Sequence, residues 1–107
     1  MPIERRLRLS VLLVLPLGGV AQAQAETIQV IIERLAFSPV DIMAKVGDTI
    51  EWVNKDPFTH TATVKGGWEV MIPSNKTVTQ HLDKAEAVDF YCRFHPNMKG
   101  RLTVAAE

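Results

Sequence analysis

Three side chains able to bind a soft transition metal fall within seven residues near the end of the chain: Cys92, His95 and Met98, in the stretch Tyr91-Cys-Arg-Phe-His-Pro-Asn-Met-Lys-Gly100. A thiol, an imidazole and a thioether at this spacing can converge on one ion if the loop between them is tight. Cys92 is the chain's only cysteine, and His60 offers a second imidazole upstream. Cys-x2-His by itself is also compatible with zinc, but structural zinc usually takes four strong ligands and rarely a thioether. Two imidazoles, a thiolate and a weak thioether suit copper better. Thiolate and thioether favour Cu(I) and imidazole favours Cu(II), so a mixed set serves both states with little rearrangement. In that reading Cys92 binds as the thiolate and His60 and His95 as neutral imidazoles. Met98 is then the long axial contact that helps set the potential.

Such a site needs elements that bring His60 to Cys92. The chain reads as short segments of period-two alternation broken by Gly, Pro, Asn and Asp, which predicts an all-β sandwich. Thr27 to Glu33 puts Ile28, Val30 and Ile32 on one face. A bend is expected at Ala36-Phe37-Ser38-Pro39, then an extended segment from Val40 to Val46 and a tight turn at Gly47-Asp48. Thr49 to Asn54 places Ile50 and Trp52 together, and Asn54-Lys55-Asp56-Pro57 has loop chemistry. Across Thr59 to Val64, alternation turns His60, Ala62 and Val64 inward and Thr59, Thr61 and Thr63 away. After Gly66-Gly67, Trp68 to Ile72 is expected as a short, irregular covering segment. Lys76 to Leu82 sets Val78, Gln80 and Leu82 opposite Thr77, Thr79 and His81, which puts His81 on the polar face and outside the site. Ala87 to Cys92 aligns Val88, Phe90 and Cys92 inward, and Arg101 to Ala105 resumes with Leu102 and Val104.

Residues 1–25 have the layout of a cleaved signal peptide. Arg5, Arg6 and Arg8 form a basic start, Leu9 to Val20 an apolar core, and Ala21-Gln-Ala-Gln-Ala25 a small-residue cleavage region. The apolar run contains Pro16, Gly18 and Gly19 and, at about a dozen residues, is short for a membrane span. Cleavage can fall after Ala23 or Ala25, and Arg5-Arg6 ahead of Leu9 leaves both the Sec and the twin-arginine routes open. Residues 26–107 then form one domain with nine basic and eleven acidic residues, a formal balance of −2 against 0 for the whole chain. So even a balance favours neither nucleic acid nor an anionic membrane as a partner. A lone thiol in an oxidising compartment is a liability unless it is ligated, and a bound metal would also stabilise so small a domain.

The stretch Tyr91-Cys92-x2-His95-Pro96-x-Met98-x-Gly100 resembles the ligand loop of the blue copper proteins, or cupredoxins, in the short-spaced amicyanin/plastocyanin-like form. The likeness extends to Ala36-Phe37-Ser38-Pro39, to Lys45-Val46-Gly47-Asp48-Thr49-Ile50-Glu51-Trp52 and to Asp56-Pro57-Phe58-Thr59-His60-Thr61. It implies a Greek-key β-sandwich over residues 26–107, with one type 1 copper ion under loops at one end. The activity implied is single-electron transfer by a soluble, monomeric, periplasmic protein between redox partners. The donor would be a dehydrogenase or cytochrome, and the acceptor a cytochrome or oxidase. The exposed edge of His95 would be the electron port, within an apolar patch drawn from Pro57, Phe58, Met71 and Pro96. Lys55, Arg93, Lys99 and Arg101 would rim that patch.

Two features depart from the resemblance. Only 31 residues separate His60 from Cys92, which is short for such proteins. Thr61 also stands where many members place an Asn that braces the cysteine loop. A periplasmic copper chaperone or resistance protein is the alternative; Met-rich or His-rich tails would favour it, and residues 26–107 have neither. Catalysis would call for further His-x-His clusters, which are absent, so an enzyme is not expected.

Overall fold

A computed structural model describes residues 24–106. Apart from Gln24 and Ala25, the signal peptide read over residues 1–25 lies outside the described residues. The strands are β1 (Thr27–Glu33), β2 (Ala36–Ser38), β3 (Asp41–Lys45), β4 (Thr49–Asn54), β5 (His60–Thr63), β6 (Glu69–Ile72), β7 (Thr77–His81), β8 (Glu86–Cys92) and β9 (His95–Ala105). They form a five-stranded sheet in the order β3-β9-β8-β5-β6 and a four-stranded sheet in the order β2-β1-β4-β7. The chain changes sheet between β2 and β3, β3 and β4, β4 and β5, β6 and β7, and β7 and β8, which is why strand order departs from sequence order. Two pairs are parallel, β1 with β4 and β3 with β9, and the rest are antiparallel. Among the described residues no helix is long and apolar enough to cross a membrane.

Inward residues of the two sheets meet as the alternation predicts: Val30, Ile32, Ile50 and Trp52 from one, Ile42, Phe90, Leu102 and Val104 from the other. At the centre Phe37, Trp52 and Phe90 pack edge to face, with ring centroids 4.8 to 5.9 Å apart. That arrangement sets the positive ring edge against the negative ring face. The buried Trp52 indole donates to Gln80 Oε1 at 3.0 Å, so its one polar atom is satisfied. Gly100 lies opposite Phe90 in the β8–β9 ladder. A Cβ there would overlap the Phe90 ring, with Cε2 and Cε1 at 2.8 and 2.9 Å. Gly100→Ala should therefore displace Phe90 from the aromatic triad and cost about 1–3 kcal/mol in chemical denaturation. A trimmed partner, Phe90→Leu, should recover part of that loss.

Asp48, one residue past Gly47, locks the β3–β4 turn. Its buried carboxylate accepts the amides of Glu26 at 2.9 Å and Lys45 at 2.8 Å, with Lys45 Nζ at 3.5 Å. The Glu26 and Lys45 amides hold its carboxyl below the usual carboxylate range, against the opposing effect of burial. A depressed pKa stabilises the fold above the unfolded-state value, about 3.9, and that contribution fades as pH falls through the folded-state value. Asp48→Asn should thus cost about 1–3 kcal/mol at pH 7. In urea titrations the gap between the two proteins should close as the pH is lowered toward about 2.

The structure changes three local expectations. Trp68 to Ile72 is not an irregular cover: Glu69–Ile72 is a regular edge strand whose residues pair with His60–Thr63. Ala36–Ser38 is a strand, so the expected bend is confined to Pro39 and Val40, and a tighter reversal precedes the strand at Arg34 (φ 57°) and Leu35 (φ 62°). Thr61 and Thr63 do face away from the inter-sheet core, yet both are buried. Arg93 and Glu69 cover them.

Candidate metal centre

Alternation along β5 and β8 carries His60 and Cys92 to the same end of the sandwich, where both are fully buried. The two strands run antiparallel, with Thr63 opposite Tyr91, so the start of one lies beside the end of the other. Past Cys92 the chain reverses through Arg93 and Phe94 and begins β9 at His95, which pairs back on Cys92. The ladder is then irregular from His95 to Lys99, and this slack lets Met98 turn inward to a buried position while Pro96 and Asn97 stay exposed.

The donor atoms converge. Nδ1 of His60 and Nδ1 of His95 each lie 3.6 Å from Cys92 Sγ, and the three ligand atoms are all within 4.8 Å of one another. Two atoms bound to one ion at about 2.0 and 2.3 Å, at an angle of about 110°, stand about 3.5 Å apart, close to the separations seen here. The residues therefore fit a shared metal ion. One thiolate and two imidazoles with a thioether at hand make a set that suits copper. His81 lies on the exposed face of β7 and takes no part.

His60 is held from behind. Its Nε2 is 2.8 Å from Asp56 Oδ2, and because a carboxylate only accepts, Nε2 carries the proton and Nδ1 keeps its lone pair for a metal. The same carboxylate accepts the amides of Arg34 at 2.7 Å and Leu35 at 3.0 Å. Burial works to raise the Asp56 carboxyl, but the Leu35 and Arg34 amides and His60 outweigh it and hold it low. This explains why the β1–β2 turn tolerates two consecutive left-handed residues without glycine. Each costs about 1–2 kcal/mol, and two hydrogen bonds to a carboxylate offset that. The sequence places Asp56 in loop chemistry; only its spacing of four residues from His60 points to more.

Cys92 Sγ accepts a hydrogen bond from the Thr61 amide at 3.4 Å, and the Thr61 hydroxyl accepts the Arg93 amide at 2.8 Å. Thr61 thus grips the cysteine loop on both sides of the sulfur. Around His95, the only half-exposed member of the cluster, Phe58 is exposed with its ring centroid 6.0 Å away. Leu35, also exposed, lines a shallow cleft with His95, Pro96, Asn97 and Met98. Leu35 joins the patch through a reversal that the sequence did not reveal. Arg93 pairs with Glu69 at 2.9 Å and Arg101 with Asp89 at 2.8 Å, so the basic rim expected from four residues is narrower than their number suggests.

The family model of the cupredoxin-like domain matches residues 7–104, and the chain belongs to that family. Its similarity is to amicyanins. It is 28% identical over 95 residues to amicyanin-alpha of Methylorubrum extorquens, covering 82% of this chain and 80% of that protein. The crystal structure of amicyanin from Paracoccus versutus superposes with a TM-score of 0.64 at 26% identity, over 78% of this chain and 84% of that one. The Cu(I) form of an amicyanin variant does so with a TM-score of 0.66 at 25% identity, over 73% and 81%. The all-β, two-sheet architecture is the one these proteins share.

Proposed function

We propose that this protein is a small soluble blue copper protein that carries single electrons between redox proteins in the periplasm. Its ligands would be His60, Cys92, His95 and Met98, residues 1–25 its cleaved leader, and residues 26–107 the working domain. The observation that carries the reading is the convergence of two imidazole Nδ1 atoms on the Cys92 sulfur at 3.6 Å. Amicyanin-like cupredoxins are electron carriers and not enzymes.

Copper bound here would supply a one-electron couple. The chain's own part is to hold the ligands still and dry. Asp56 orients His60, the Thr61 amide steadies the sulfur, and burial of His60, Cys92 and Met98 excludes water. Ligands held in this way need not move when the charge changes, so reorganisation stays small. His95 is the one ligand with an exposed edge, set among Phe58, Leu35 and Pro96. A partner protein docking on that apolar surface would come close to the metal without entering the fold.

The test is to load purified protein with Cu(II). The expected result is an intense thiolate-to-copper band in the visible and a reversible one-electron couple. A colourless protein that takes up Cu(I) alone would overturn electron carriage in favour of copper handling. Export is tested separately, by following the full chain to the periplasm and sequencing the N-terminus of the mature form.

A further inference from the structure

Behind Thr61 lies a closed ring of hydrogen bonds that the ligand geometry does not require. The Arg93 amide donates to Thr61 Oγ1 at 2.8 Å, Thr61 Oγ1 lies 2.8 Å from Thr63 Oγ1, and Thr63 Oγ1 donates to Glu69 Oε1 at 2.7 Å. The Arg93 guanidinium closes the ring, with Nε on Oε1 at 2.9 Å and Nη2 on Oε2 at 3.0 Å. Arg93, the residue after Cys92, is therefore gripped by both its backbone and its side chain.

The ring has a direction, set at one end. Hydrogen bonds from Arg93 and Thr63 hold the Glu69 carboxyl down at about 2, so it is ionised at any working pH and can only accept. Thr63 must then spend its single proton on Glu69, which leaves its oxygen to accept from Thr61. Thr61 in turn spends its proton on Thr63 and offers its lone pairs to the Arg93 amide. A pair of buried threonines alone would have two hydroxyl orders of similar energy; the carboxylate selects one. In that order Thr61 Oγ1 keeps both lone pairs for the Arg93 amide, while its own amide donates to Cys92 Sγ at 3.4 Å.

We propose that Glu69 is a positioning residue for the metal centre: acting through Thr63 and Thr61, it fixes the hydrogen bond to the Cys92 sulfur and thereby the reduction potential. This rests on the copper assignment above. Hydrogen bonds to a ligating sulfur draw electron density from it and favour the reduced metal. Loosening Thr61 should therefore favour Cu(II) and lower the potential. In this chain a four-residue relay does the bracing that a single Asn does in many of the proteins it resembles.

The experiment compares wild type with Glu69→Ala, Glu69→Gln, Thr63→Val and the Glu69→Ala/Thr63→Val double variant. Each is measured as the copper-loaded protein for potential and visible band, and as the metal-free protein for exchange of the Arg93 amide. Glu69→Ala should shift the Cu(I)/Cu(II) equilibrium about threefold toward Cu(II), about 28 mV at 59 mV per tenfold. It should also move the band and speed Arg93 amide exchange about tenfold. Glu69→Gln, whose amide oxygen can still accept from Thr63 and Arg93, should recover most of this. Because the groups act in series, the double variant should do no more than the larger single one. Glu69 is on the surface, so its variants remain informative if Thr63→Val folds poorly. Wild-type potential and amide exchange in Glu69→Ala, or additive effects in the double variant, would overturn the proposal. A wild-type protein with no thiolate band would overturn the copper reading, and this inference with it.

Discussion

Cys92→Ser is expected to abolish the visible band of the Cu(II)-loaded protein and to lower copper affinity by more than about a hundredfold. The band needs a thiolate as electron donor, and a serine hydroxyl stays protonated at neutral pH, offering neither the donor orbital nor the negative charge. Loss of a ligand's hydrogen-bond partner alone costs about 10–100-fold in metal affinity, so loss of the ligand itself should exceed that. His60 and His95 would remain, and Cu(II) bound by two imidazoles would be nearly colourless. The metal-free variant should fold, because serine is smaller than cysteine and the Thr61 amide can donate to its oxygen. Only the copper-bound form should then lose stability, since a metal that binds the native state stabilises it in proportion to ln(1 + [L]/Kd). The measurement is an absorption titration beside melting temperatures with and without copper. A variant that kept both the band and the copper-dependent rise in melting temperature would sink the assignment of Cys92 as the strong ligand.

Asn54→Ala should destabilise the fold by about 3 kcal/mol, more than any other single polar truncation near the site. Asn54 ends β4, buried, at the point where the chain leaves one sheet for the other. Its Nδ2 lies 2.8 Å from the Phe58 carbonyl, 3.0 Å from that of Ile72 and 3.1 Å from that of Pro73, and its Oδ1 accepts the Asp56 amide at 2.9 Å. One side chain thus ties the loop that delivers His60 to the turn after β6. Alanine would leave several buried groups unpaired, each costing about 1–3 kcal/mol before relaxation. Asn54→Asp is the sharper test, because it keeps the shape and removes the donors. A carboxylate facing three carbonyls would have its pKa raised in the folded state. Its destabilisation should therefore be present at pH 7 and shrink as pH falls through that raised value. Urea titrations at pH 7 and at about pH 4 would decide it; equal loss at both would show that packing, and not donor loss, governs the position.

Much of the site is legible in the sequence. Alternation is a local property of an extended backbone, so His60 and Cys92 could be assigned to inward rows, and His81 to an outward one, from neighbours alone. Loop spacing is local as well, which is why Cys92, His95 and Met98 could be grouped. What covers the outer face of a strand is not local. Thr61 and Thr63 point away from the core as the pattern says, yet they are buried because Arg93 and Glu69, from two other segments, close over them. The irregularity expected at Trp68 to Ile72 disappears for a similar reason: Glu69–Ile72 finds the backbone of β5 to pair with.

The sequence by itself determined the donor chemistry on offer, the facing of the two strands that carry His60 and Cys92 and the all-β class, since each follows from residue type and a period of two. Only the tertiary structure decided what steadies those donors. Asp56 supports a left-handed turn at Arg34 and Leu35 that local preference disfavours, and it does so across 21 and 22 residues of chain. Glu69 orders two threonines by accepting a hydrogen bond from one end of their row. Both are effects of an ionised carboxylate on groups far away in sequence, and no local pattern records which groups those will be.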